Sequence, residues 1–171
     1  PYVEQCAELL IFCMDNHRHQ TLVPNAQIDW TEVTIVGAVD AAIMAQNLLL
    51  AAESMGLGGV YLGSIRNDIR RMGEILKLPQ GVVPLFGMAL GYPDQNPAMR
   101  PRLPKALVVS TNQYEPADKS ALDQYNQTVA DYYAARGQAG SDWVQKIESY
   151  LDKPVRPDVL TYLNQQGYAK R

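Results

Sequence analysis

AAESMGLGGVYLGSIRN, residues 51–67, carries the end of a long apolar helix into a glycine turn, a short strand and a second glycine-bearing turn. Glycine has no β-carbon, so it admits positive φ and leaves neighbouring main-chain N–H groups uncovered for an acceptor. Gly56 is placed to close the helix as its C′ residue, and Gly63 with Ser64 to open the next one. The stretch is not a dinucleotide fingerprint: G-x-G-x-x-G read from Gly56 meets Gly58 but then requires glycine where Tyr61 stands. The order helix, glycines, strand is also the reverse of a Rossmann turn. Two readings stay open, a helix cap followed by a tight loop or a backbone surface that a flat ligand approaches closely.

Upstream, residues 35–52 are apolar apart from Asp40, Gln46 and Asn47 and are flanked by Glu32 and Glu53, which predicts a helix at the centre of a fold or dimer rather than a membrane span. Asp29 and Glu32 have the spacing of an N-cap and its reciprocal N3 acid, opening a helix that runs to Met55. Residues 8–14 read as a buried strand, entered almost at once from Pro1-Tyr2-Val3, and residues 15–24, with both histidines, as an exposed loop. Downstream, residues 60–62 form a short strand. Residues 67–78 form an amphipathic helix with Ile69, Met72, Ile75 and Leu76 on one side, stopped by Pro79. Residues 82–90 make a central strand, the proline-rich residues 98–104 are extended, and residues 105–110 make a last strand. Three helices follow, over about residues 117–136, 142–151 and 158–166, with Pro157 at N1 of the last. Strands interspersed with helices, without a βαβ repeat, predict an α+β fold: one domain over residues 1–171 whose residues 117–171 are a helical C-terminal portion.

A chain of 171 residues with 47% hydrophobic and 19% charged residues has the composition of one soluble globular domain. Its net charge of −3 gives no electrostatic case for nucleic acid, so a cationic site must be local. Cys6, Cys13, His17 and His19 lack zinc-site spacing, a disulfide framework is not expected, and no Ser-His-Asp or Cys-His arrangement suggests a side-chain nucleophile. No leader-like segment begins the chain, and a cytoplasmic location is expected.

Local cationic chemistry centres on Arg100 and Arg102, two residues apart in RPRLP. Guanidinium forks in a proline-stiffened segment can converge on one dianionic phosphate, and the ordinary alternative is a pair of solvated arginines. Arg136 lies at a helix C-terminus, where the last free carbonyls stabilise a cation regardless of function.

GLGGVYLGSIRN, followed closely by LPQGVVPLFGMALGYPDQNPAMRPRLP and ending in NQQGYAKR, resembles the oxygen-insensitive NADPH nitroreductases of the major bacterial type and the related NADPH-flavin oxidoreductases, over essentially the whole chain. The resemblance implies FMN as cofactor and NADPH as reductant. It also implies a mixed central sheet surrounded by helices and an intertwined homodimer with a flavin at each subunit interface. Tyr61, Leu62, Gly63 and Ser64 would lie against the isoalloxazine and ribityl chain with Asn67 close by, and Arg100, Pro101 and Arg102 would meet the phosphate. Arg136 would bind a phosphate of the nicotinamide nucleotide, and Arg156 would stand near the substrate mouth. Glycine is common in the family where Ser64 stands, and lysine where Arg100 stands. The family's N-terminal portion, with its His-Arg-Ser-x-Arg segment and serine cluster, has no counterpart here, which suggests a fragment. The implied chemistry is ping-pong transfer from NADPH through flavin to nitroaromatics, quinones or flavins. The alternatives are a truncated, non-catalytic dimerisation core that does not retain FMN, and a flavin-storage protein without turnover.

Overall fold

The computed structural model describes residues 2–171; the expectation for Pro1 lies outside them. The chain groups into two compact units, one of residues 1–95 with 156–171 and the other of residues 96–155.

The first unit is built on a three-stranded antiparallel sheet of order β1-β3-β2: β1 Glu8–Asp15, β2 Gly58–Leu62 and β3 Val82–Gly91. The strand expected at residues 82–90 is central, as its near-continuous apolar run implies. A short helix, α1 Tyr2–Gln5, precedes β1 instead of the direct strand entry that was expected. β1 is an edge strand rather than a wholly buried one: Phe12 and Met14 are buried while Glu8 and Leu9 are exposed. Between Phe12 and Cys13 the β1–β3 register slips, so that Phe12 faces Phe86 and Cys13 faces Pro84. Proline cannot donate to a ladder and is tolerated in a strand at such bulges. Leu85 is left without a cross-strand partner, and its carbonyl accepts from the Arg66 guanidinium instead.

Residues 15–24 are not a loop throughout, since α2 spans His17–Leu22. None of its residues is buried, so no apolar period announced it; Thr21 Oγ1 donating to the His17 carbonyl and the Asn16 amide donating to Gly81 hold it in place. The long helix, α3 Thr31–Ser54, has Trp30 as its N-cap without a side-chain bond. The Asp29 carboxylate expected to cap it pairs with Arg171 at 2.7 Å. Gly56, at φ +81°, closes α3 in a Schellman arrangement, with Leu57 N–H donating to Ala52 and Gly56 N–H to Glu53.

Small residues let α3 approach the sheet, Ala41 and Ala45 packing with Phe12 and Met88. Its other side, with Ile35, Val36, Val39, Ile43, Met44 and Leu50, is exposed within this chain. By length and composition α3 could cross a membrane, although Asp40, Gln46 and Asn47 share its exposed side.

The helix expected over residues 67–78 is a 3-10 turn, Gly63–Asp68, followed by α4 Ile69–Ile75, whose N-cap Asp68 accepts from the Arg71 amide at 2.9 Å. Ile69 is buried and Met72 half-buried, but Ile75 and Leu76, at the last turn and C-cap of α4, are exposed. The C-terminal tail returns to this unit. α7 Val159–Gln165 lays Tyr162 against Gly73 of α4, and Tyr168, fully buried, donates to the Gly81 carbonyl at 2.7 Å. Asp158 is the N-cap of α7, so Pro157 precedes the helix rather than occupying N1.

The second unit contains a 3-10 turn, Lys105–Leu107, in place of the strand expected at residues 105–110; Val108 and Val109 beyond it are exposed. α5 Lys119–Ala134 and α6 Trp143–Leu151 follow closely the expected ranges. Each is capped by aspartate, Asp118 accepting from the Ser120 amide and Asp142 from the Gln145 amide.

Candidate functional site

Each unit carries one group of the residues that the sequence nominates. In the first, Tyr61 and Leu62 end β2, and Gly63, Ser64 and Asn67 lie on the 3-10 turn that follows. Only part of the glycine-rich stretch is explained by packing. A β-carbon on Gly59, which belongs to β2 rather than to the turn before it, would stand 2.6 Å from Leu49 and 2.9 Å from Leu90, so α3 and β3 need glycine there. On Gly63 it would meet only the Arg66 guanidinium, at 3.5 Å. Among the described residues no neighbour therefore demands glycine at position 63, and its open backbone suits the close approach of a flat ring.

Tyr61 is 42% exposed, sets its ring edgewise on Phe86 at 5.8 Å, and donates through its hydroxyl to Gln46 of α3 at 3.2 Å. The turn beyond it is anchored by the Arg66 bond to Leu85, a consequence of the Pro84 bulge. Next to Arg66, Asn67 accepts through Oδ1 from Arg156 Nε at 2.9 Å, which brings together two nominated residues 89 positions apart. Arg156 adopts φ +48°, a left-handed conformation uncommon outside glycine and asparagine. Its Nε is committed to Asn67, a bond that does not use the two terminal nitrogens.

In the second unit, Arg100, Pro101 and Arg102 line a cavity of about 300 Å³ with Tyr125, Tyr133, Trp143 and Lys146 among the other walls. The described residues lining it include three cations and no carboxylate. Arg100 Nη2 donates to the Tyr133 hydroxyl at 2.9 Å, the Tyr125 hydroxyl reaches the Pro101 carbonyl at 3.4 Å, and Trp143 packs edgewise on Tyr125. Lys146 and then Arg100 lower the Tyr133 phenol below its ordinary value, against the opposing effect of burial.

The aromatic wall was not foreseen. Its signal was present, since Tyr125, Val129, Tyr132 and Tyr133 fall at i, i+4, i+7 and i+8, one face of a helix. Arg136 is not among the cavity residues; it follows the α5 C-cap, exposed, with its guanidinium 5.4 Å above the Tyr132 ring.

The sequence pattern of the nitroreductase family matches residues 7–92, and that of the nitroreductase family C-terminal domain matches residues 100–171. This chain belongs to the nitroreductase family. Within the family it is similar to an NADPH-flavin oxidoreductase of Vibrio harveyi, 52% identical over 99% of this chain and 72% of the relative. It is also similar to an oxygen-insensitive NADPH nitroreductase of Salmonella typhimurium, 48% identical over the same shares. Among solved structures, the NADPH:FMN oxidoreductase of Vibrio harveyi complexed with NAD+ superposes with a TM-score of 0.91 at 50% identity, covering 99% of this chain and 71% of that one. The α+β architecture expected from the sequence is thus the fold of the nitroreductases.

Proposed function

We propose that this nitroreductase-family chain is an FMN-dependent oxidoreductase that takes electrons from NADPH and delivers them to flat acceptors such as nitroaromatics, quinones or free flavins in a ping-pong sequence. The observation that carries the cofactor reading is the cavity lined by Arg100, Arg102 and Lys146, with no carboxylate among its described lining residues. Guanidinium forks match phosphate oxygens, and a dianion at a site with three cations and no lining carboxylate meets attraction unopposed by those walls. Support also comes from the reductants and flavins in the names of the relatives.

When bound, FMN supplies hydride uptake and release, so no side-chain nucleophile is required. The chain's own residues bind and orient. Tyr61, Leu62, Gly63 and Ser64 present open backbone and one aromatic edge to the ring, with Asn67 beside them. Arg100, Pro101 and Arg102 hold the phosphate, and Arg156, steadied by Asn67, presents its terminal nitrogens to the acceptor. Arg136 meets a phosphate of NADPH.

The working unit is a homodimer in the cytoplasm, built on the exposed side of α3. The test is a visible spectrum of the purified protein with and without added FMN, followed by NADPH consumption with a quinone. A flavin spectrum with turnover supports the reading. A protein that never takes up FMN is instead a non-catalytic dimerisation core, and a yellow protein that leaves NADPH untouched stores flavin.

A further inference from the structure

The segment bearing Arg100 is irregular, and residues 98–104 contain neither α-helix nor strand. An arginine on such a segment gives up rotamer freedom when fixed, unless something has ordered it beforehand. Two tyrosines of α5 provide that order. Tyr125 reaches the Pro101 carbonyl and steadies the backbone, while Tyr133 accepts from Arg100 Nη2 at 2.9 Å and fixes the guanidinium.

Tyr133 is itself held. It is buried, at 9% exposure, on the cavity side of α5, and the Lys146 ammonium from α6 sits 3.7 Å from its ring centroid. A cation over the ring and a guanidinium at the hydroxyl hold the phenol oxygen as an acceptor toward Arg100. Only one of the five N–H donors of Arg100 is spent on it, which leaves the outer edge of the fork for an anion.

We propose that Tyr133 is the positioning residue that pre-orders Arg100 for the flavin phosphate, with Lys146 clamping the tyrosine from α6. The inference rests on the reading of Arg100 as a phosphate ligand and adds the device that makes an arginine effective there. A point-charge lysine would not need its plane fixed. A fork does, since bidentate contact requires the guanidinium plane to be set before the phosphate arrives.

The experiment is titration of the apoprotein with FMN and, separately, with riboflavin, which lacks the phosphate, read by flavin fluorescence. Tyr133→Phe keeps the ring under Lys146 and removes only the hydroxyl. We expect about three- to tenfold weaker FMN binding and unchanged riboflavin binding. In an Arg100→Ala background, Tyr133→Phe should have no further effect on FMN. The inference is overturned if Arg100→Ala weakens FMN binding but Tyr133→Phe does not, or if Tyr133→Phe weakens FMN and riboflavin equally. An Arg100→Ala protein that binds FMN as before overturns the phosphate reading itself, a result distinct from either of these.

Discussion

Arg136 follows the last turn of α5, where unpaired carbonyls favour a cation whatever the residue does, and its guanidinium lies over Tyr132, one of the cavity walls. If it meets the 2′-phosphate, Arg136→Ala should raise the KM for NADPH far more than that for NADH or for the acceptor. A residue that only ends a helix should instead cost about 0.3–1 kcal/mol of stability and leave both nucleotides alone. Steady-state kinetics with the two reductants separate these accounts, and an equal change for both would exclude recognition of the 2′-phosphate. Tyr168 makes a prediction of another kind, because its buried phenol donates to the Gly81 carbonyl and accepts from the Asn16 backbone N–H, and burial pushes it up to about 12 from 10.0. The folded state favours the protonated form. Its contribution is therefore complete below pH 10 and is lost as pH rises towards 12, a difference of about 2–3 kcal/mol by linkage. Tyr168→Phe should be less stable than the parent at pH 8, and urea unfolding should find that gap closing by pH 11.5; a gap independent of pH would refute the assignment.

Among the elements, close approach explains glycines that a ligand reading could otherwise claim. A β-carbon on Gly73 of α4 would stand 2.2 Å from the hydroxyl of buried Tyr162 on α7. Gly73→Ala should therefore destabilise the protein by about 1–3 kcal/mol through overpacking, despite the roughly 1 kcal/mol that alanine gains in a helix. A raised melting temperature would show that Tyr162 simply swings aside. The same elements show what could be read from sequence. β3 was legible because an apolar run is a local signal, and so was the closure of α3 at Gly56; the ranges of α5 and α6 were legible too, although their Asp118 and Asp142 caps are local signals that went unread. The partner of Asp29 was not: a carboxylate three residues before Glu32 resembles a capping box, but the winning contact, Arg171, lies 142 positions away. α2 and the 3-10 turn of residues 105–107 escaped because neither buries an apolar face. At the candidate site, Arg100 and Arg102 were visible as a spaced pair. The Arg156–Asn67 bond and the Tyr133 contact to Arg100 depend on tertiary pairing, over 89 and 33 positions, that no local pattern encodes.

For the whole molecule, the deciding surface is the exposed side of α3. Val36, Val39, Ile43 and Leu50, spaced by three, four and seven residues, form an apolar stripe, and Ile35 and Met44 widen it. A monomer rarely leaves an apolar patch of this extent in water, even one interrupted by Asp40, Gln46 and Asn47, and a two-fold interface would set the same patch of a second copy against it. The stripe also reaches the candidate site, since Gln46 on α3 accepts from the Tyr61 hydroxyl, so a partner docked on α3 borders the residues proposed to hold the flavin ring. Association and cofactor retention should then fail together. Ile43→Asp places a charge at the centre of the stripe, where an unpaired buried carboxylate costs several kcal/mol, and should turn a dimer into a monomer on gel filtration while releasing FMN. Because Ile43 is exposed within its own chain, the monomer should keep its far-ultraviolet circular dichroism. A folded Ile43→Asp monomer that still holds FMN would place the flavin within one subunit, and an undisturbed dimer would move the interface away from α3.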